Sequence, residues 1–247
     1  MKKYGFTQNS IKINNRTLYQ IKALKDFGSV KKGDLGGFIE SENNLNHDGN
    51  CWVSGNAQVY GNVLVSGNVQ VFESARVSGN ALVSGNARVF RSAQIFEKAW
   101  VSGNAKVYGN AKVYGNALVF DNARIHENAQ VCENTRVSED AEASGNALVS
   151  ENARVSGNTR VSENARVFGN AQIYDNAWVY GNTHIFKNAH VYGDARLGNV
   201  PVNFDCDFDP YETLKEILNC PKILPVLSGL NENLDKLIST ILTKTGT

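Results

Sequence analysis

Three of the four histidines, His126, His184 and His190, recur in closely similar local settings and are the side chains best suited to take up a proton near neutral pH. Each could act as a general base. A second group with chemical potential is cationic and aromatic. Arg88, Lys106 and Arg124 are evenly spaced along the chain, and each is followed two positions later by a ring, Phe90, Tyr108 or His126. A cation beside a ring can hold an anion, and the ring can stack on a base or sugar. The four cysteines (Cys51, Cys132, Cys206, Cys220) have neither metal-site nor disulfide-framework spacing. The chain has no phosphate-cradling glycine loop, nucleophile elbow or clearly spaced carboxylate pair.

These residues are set into a repeat. An aliphatic residue recurs every six positions from Val53 through Val59, Val65 and onward to Val191 and Leu197, in one register without insertion or deletion; Ala143 is its weakest member. The unit reads V-[S/Y/F]-[G/E/D]-N-A-x. A β-branched residue at position one suits a buried strand, and the Ala at position five must be small and inward. The Gly/Glu/Asp–Asn pair at positions three and four makes the turn, with Asn as the residue that tolerates left-handed backbone. Positions six and two flank the buried valine and point outward. Six is not a helical period, and Gly-Asn in every hexad would break a helix. Stacked strand–turn units bury the valines and pair the backbone between coils, which predicts an all-β parallel solenoid.

V-S-G-N-A-R-V-S-G-N-A-x resembles the hexapeptide repeat of left-handed β-helix proteins over about residues 41–198. The block Leu18–Leu24 through Gly33–Glu40 resembles the leader of YdcK-like bacterial and phage hexapeptide-repeat proteins, which carries the suggestion of a mobile-element origin. The resemblance implies a left-handed, single-stranded parallel β-helix with three hexads per coil. It also implies an alternative activity. Many members are acyltransferases that use acetyl-CoA or another acyl-CoA, with a histidine near a loop that interrupts the repeats. Here no loop interrupts them, so His126, His184 and His190 are only an alternative catalytic set, and no catalytic residue is assigned otherwise. The zinc-binding members need three histidines meeting at a subunit boundary, which this spacing does not offer; no metal is expected.

Three segments follow: an N-terminal β-hairpin cap (1–40), the hexapeptide-repeat β-helix (41–198) and a C-terminal helical cap or oligomerisation segment (199–247). Ile11–Ile13, Asn14-Asn15 and Thr17–Ile21 read as the hairpin. Asp209-Pro210-Tyr211-Glu212 reads as a helix start, and Leu234, Leu237, Ile238, Ile241 and Leu242 share one face of a second helix.

With three hexads to a coil, as the resemblance implies, residues separated by three hexads lie on successive rungs. One outer face then carries Arg88, Phe90, Lys106, Tyr108 and Arg124 as a candidate site for a small anionic ligand. Another carries the apolar column Leu64, Leu82, Trp100 and Leu118 with Phe120 beside it. Large aligned apolar groups on an outer face mark an interface, so the column predicts a homo-oligomer, dimer or trimer; the alternative is that the N-terminal hairpin covers it. The C-terminal helices are a candidate site for a protein partner.

Lys+Arg is 25 and Asp+Glu 24, a net charge of +1 that gives no general reason to expect nucleic acid. No apolar run is long enough to span a membrane, and MKKYGFTQNSIKINN has no apolar core of a secretory signal, so the expectation is a cytoplasmic protein without a membrane partner. The combined expectation is a non-enzymatic binding or scaffold solenoid without a cofactor.

Overall fold

The computed structural model describes residues 2–199 together with 201–202 and 207–208. The anticipated C-terminal helices fall outside the described residues; within them there is no α-helix, only a 3-10 turn at Glu42–Asn44. Nearly every hexad contributes one short strand made of positions six and one, such as Gln58–Val59 or Trp100–Val101. These strands stack in parallel into three sheets. The first-face sheet runs from Trp52–Val53 to Arg196–Gly198 and the third-face sheet from Leu64–Val65 to Asp207–Phe208, each with nine strands. The second-face sheet has 12, because the N-terminal strands join its edge.

The pairing interval is three hexads, one whole coil, as in Arg88↔Lys106 and Trp100↔Leu118. Position six donates to position five of the next coil (Gln58 N to Ala75 O, 2.9 Å), position two to position one (Tyr60 N to Val77 O, 3.0 Å) and position four to position three (Asn62 N to Gly79 O, 2.7 Å). The ladder therefore continues through the turns. The repeated Val, Ile and Ala side chains form the core, and Ala143 is as buried as its valine neighbours. Pairing also outlasts the side-chain pattern: Pro201–Val202 and Asp207–Phe208 still align with His184–Ile185 and His190–Val191. Parallel pairing needs backbone only, so the stacking passes the point where the hexad motif fades.

The turn differs from expectation in one respect. The left-handed residue is position three, not the asparagine at position four: Gly61 has φ 80°, and Glu97, Glu139 and Glu163 have φ near 60°. The asparagine side chains instead form ladders along the corners, for example Asn116 to Asn134 (2.9 Å) and Asn134 to Asn152 (3.3 Å). At Gly115 a Cβ would lie 2.4 Å from the Glu133 nitrogen, so glycine is required by close approach as well as by φ.

The N-terminal segment closes one end. β1 (Tyr4–Ile13) and β2 (Arg16–Ala23) form the expected hairpin, turning through Asn14 (φ 46°) and Asn15 (φ 62°). β3 (Leu35–Ile39) runs antiparallel to β2 and parallel to Gln58–Val59, joining the hairpin to the second-face sheet. Lys3 and Tyr4 are fully buried over the first coil. Lys3 Nζ donates to the Cys51 carbonyl (2.9 Å) and lies 3.2 Å from Cys51 Sγ, and Tyr4 Oη donates to the Leu45 carbonyl (2.7 Å). A buried ammonium is tolerated there because it meets main-chain acceptors.

Candidate functional site

On the first face the rings form one continuous stack. Phe72 and Phe90 lie 4.9 Å apart with planes 3° from parallel, Phe90 and Tyr108 are 4.8 Å apart, and Tyr108 and His126 are 4.8 Å apart at 7°. This is the rung spacing of a parallel sheet, so the backbone sets the ring separation. Phe90 and Tyr108 are covered on both faces by their neighbours. Neither can stack on a ligand, which corrects the expectation that Phe90 and Tyr108 would receive a base or sugar. Burial pushes the Tyr108 hydroxyl above its ordinary pKa, assisted by the Glu142 charge.

The cations Arg88, Lys106 and Arg124 stand in direct register, as read from the spacing, and Glu142 follows Arg124. The Arg88 guanidinium is 5.3 Å from the Phe72 centroid and 5.6 Å from that of Phe90. Near-equal distances to two stacked rings place it beside the stack, at their edges. None of the three cations takes part in any of the four ion pairs among the described residues.

The three histidines are not brought together. His126 directly follows a strand of the first-face sheet, His184 lies in the second-face sheet and His190 in the third. His126 is sealed by Tyr108 on one side, and its Nε2 donates to Glu142 Oε1 at 3.0 Å. His190 packs edge-on against Tyr174. No group of three or more His, Cys, Asp or Glu among the described residues could hold a metal ion.

The third-face column is in register as expected, Leu64↔Leu82, Leu82↔Trp100 and Trp100↔Leu118. Leu64 is 41% and Trp100 46% exposed, against a half-buried Leu82 and Leu118. Trp100 Nε1 donates to Ser84 Oγ (3.3 Å), which fixes the indole over the rung before it. A cavity of about 300 Å³ lies between Trp100, Leu118 and Phe120, rimmed by Ser102 and Asp121. The N-terminal hairpin does not cover this column, because it pairs with the second-face sheet. That alternative is corrected.

Two features escaped the sequence. A cavity of about 520 Å³ opens where the loop Gly28–Val30 leans over the head of the first face, between Trp52, Ser54, Phe72 and Arg88. No periodicity places that loop there. The other is His47, which no motif singles out. It stacks on Tyr4 at 4.4 Å, its Nδ1 accepts from the Lys3 amide (3.2 Å), and its buried Nε2 has no partner. Burial holds its pKa below the ordinary imidazole value.

Residues 57–73, 111–127 and 171–185 match the family model of the YdcK β-solenoid repeat. The matches fall near both ends and in the middle of the array, and the six-residue unit continues between them in unbroken register. No curated protein matches the chain. Among solved structures, LpxA from Acinetobacter baumannii is similar over 72% of this chain and 76% of its own, at 12% identity and a TM-score of 0.36. No helix among the described residues is long and apolar enough to cross a membrane.

Proposed function

We infer that this chain is a non-enzymatic scaffold that pairs with a second copy of itself through the third face. The observation that carries this reading is the registered column Leu64, Leu82, Trp100 and Leu118, with Trp100 46% exposed beside an apolar cavity. Two such faces related by a two-fold axis between Leu82 and Trp100 would set Leu82 against Trp100 of the partner and Leu64 against Leu118. The column is thus self-complementary, as an isologous interface requires. The same axis brings Arg136, next in the column after Leu118, to the rung of Leu45 in the partner, the residue that bridges Val65, near the exposed Asp48. Trp and large aliphatic groups at the centre with charges at the rim are the usual anatomy of such contacts.

The alternative, an acyltransferase using acetyl-CoA with His126, His184 or His190 as base, finds less support. His126 has its Nε2 engaged by Glu142, and the three histidines stand on three separate faces. The test is the mass of the full chain by light scattering and native mass spectrometry, with and without acetyl-CoA. The expected result is a dimer that Trp100→Arg or Leu118→Asp converts to monomer, unchanged by acetyl-CoA. A dimer or trimer indifferent to both substitutions would overturn the interface. Acetyl-CoA hydrolysis or transfer lost on changing one histidine to Ala would overturn the non-enzymatic reading.

A further inference from the structure

The aromatic stack of the first face ends at Phe72. The next rung towards the N-terminus carries Ser54 in the equivalent position, and its side chain cannot cover a ring. Above that serine stands the Gly28–Val30 loop, and the space between is the cavity of about 520 Å³. Its walls are Trp52 and Val30, both buried, and its mouth carries the exposed Arg88 guanidinium.

The loop is held firmly. Phe27 and Val30 exchange two main-chain hydrogen bonds of 3.0 and 2.9 Å, and the Phe27 ring packs edge-on against Trp52 at 5.4 Å. The Asp26 carboxylate accepts from the Lys32 amide (2.8 Å) and from Lys31 Nζ (3.1 Å). Gly28 has φ 52°, and a Cβ there would come within 3.2 Å of Asn50. A site with pre-formed walls loses little ordering entropy on binding.

We propose that this cavity binds a planar aromatic anion: a ring that stacks on the open side of Phe72 in the place Ser54 leaves, with a carboxylate or phosphate on a short arm reaching Arg88. The ring adds one member to a stack whose geometry the backbone already imposes. Arg88 suits the anionic arm because its guanidinium lies beside the stack, at the edges of Phe72 and Phe90, with no carboxylate partner among the described residues. Lys106, on the following rung, adds to the positive field without a contact. A nucleotide and an aromatic acid both present this chemistry.

The experiment is a titration of the full chain, followed by calorimetry and ligand-observed NMR, with adenosine 5′-monophosphate, indole-3-acetate and neutral adenosine. Submillimolar binding of at least one anion is expected, with adenosine weaker by about tenfold or more, the scale of one charge-assisted contact. Binding of only the nucleotide or only the acid would identify the source. Arg88→Gln should weaken the anion by about tenfold and leave adenosine unchanged. Ser54→Phe should fill the slot with the chain's own ring and abolish binding while circular dichroism and melting temperature hold or improve. Phe72→Leu, which keeps an apolar side chain but no ring, serves should Ser54→Phe misfold, and it too should abolish binding. The proposal is overturned if neither anion binds, or if either slot variant, folded, binds as the parent does.

Discussion

The Gly157 amide donates to Glu139 Oε2 at 2.8 Å, across one rung of the solenoid. The same bond recurs between Gly169 and Glu151 (2.9 Å), Gly181 and Glu163 (3.1 Å) and Gly193 and Asp175 (3.1 Å). Position three is the turn position whose N–H the main-chain ladder leaves over, since the ladder uses donors from positions six, two and four. A carboxylate one coil earlier accepts from it. That explains why acidic residues occupy a left-handed position whose backbone otherwise favours glycine.

Glu139 therefore tests two effects of opposite sign. Glu139→Ala keeps the left-handed strain and loses the acceptor, an expected cost of about 1 kcal/mol. Glu139→Gly loses the same acceptor but removes a strain of about 1 kcal/mol. Urea unfolding should rank the glycine variant above the alanine one, the reverse of their order in ordinary backbone.

The corner ladder has a polarity that gives a second test. In the column that begins at Asn68 each asparagine donates to the next coil as far as Asn122, which donates to Asp140 (3.1 Å), and Asp140 can only accept. The ladder restarts at Asn158, which donates to Asn176 (3.1 Å). Asp140→Asn supplies the missing donor and should stabilise the protein by roughly 0.5–1 kcal/mol. A lower melting temperature for this variant would mean that the ladder is incidental.

His47 makes stability depend on pH. Its imidazole is held neutral by burial against Tyr4, with Lys2 and Lys3 acting in the same direction and Glu42 opposing. A folded-state pKa below the unfolded value means that the unfolded chain binds the extra proton first. Stability is then complete above the ordinary imidazole value of about 6.5 and declines as the pH falls below it. Thermal melts at pH 7 and pH 5 should show the loss, and His47→Gln should flatten it.

The legibility of this chain followed its periodicity. Arg88, Lys106 and Arg124, or Leu64, Leu82 and Trp100, could be placed in columns without coordinates, because strand pairing at an interval of one coil is arithmetic once three hexads close it. The turn was legible in place but not in mechanism. Asparagine's tolerance for left-handed backbone is a property of a single residue, whereas its role here, and that of Glu139, exists only between coils. The spacing aligns Phe90 with Tyr108, but that they cover each other depends on the rung separation, which no residue type encodes. His47 and the Gly28–Val30 cavity depend on how an aperiodic segment folds back on the first coil, which no repeat encodes.

Because the ladder runs unbroken through the corners, the solenoid has no slack in which to absorb a change of length. Loss or gain of one hexad would carry every later column to a neighbouring side, setting the Arg136 column in line with Lys112 or Arg124 of another. Loss or gain of a whole coil would leave every column straight. Such a protein can lengthen or shorten in only one increment without rewriting its surface, and its outward chemistry is inherited as a phase, with each side chain's neighbours decided by its place within the coil.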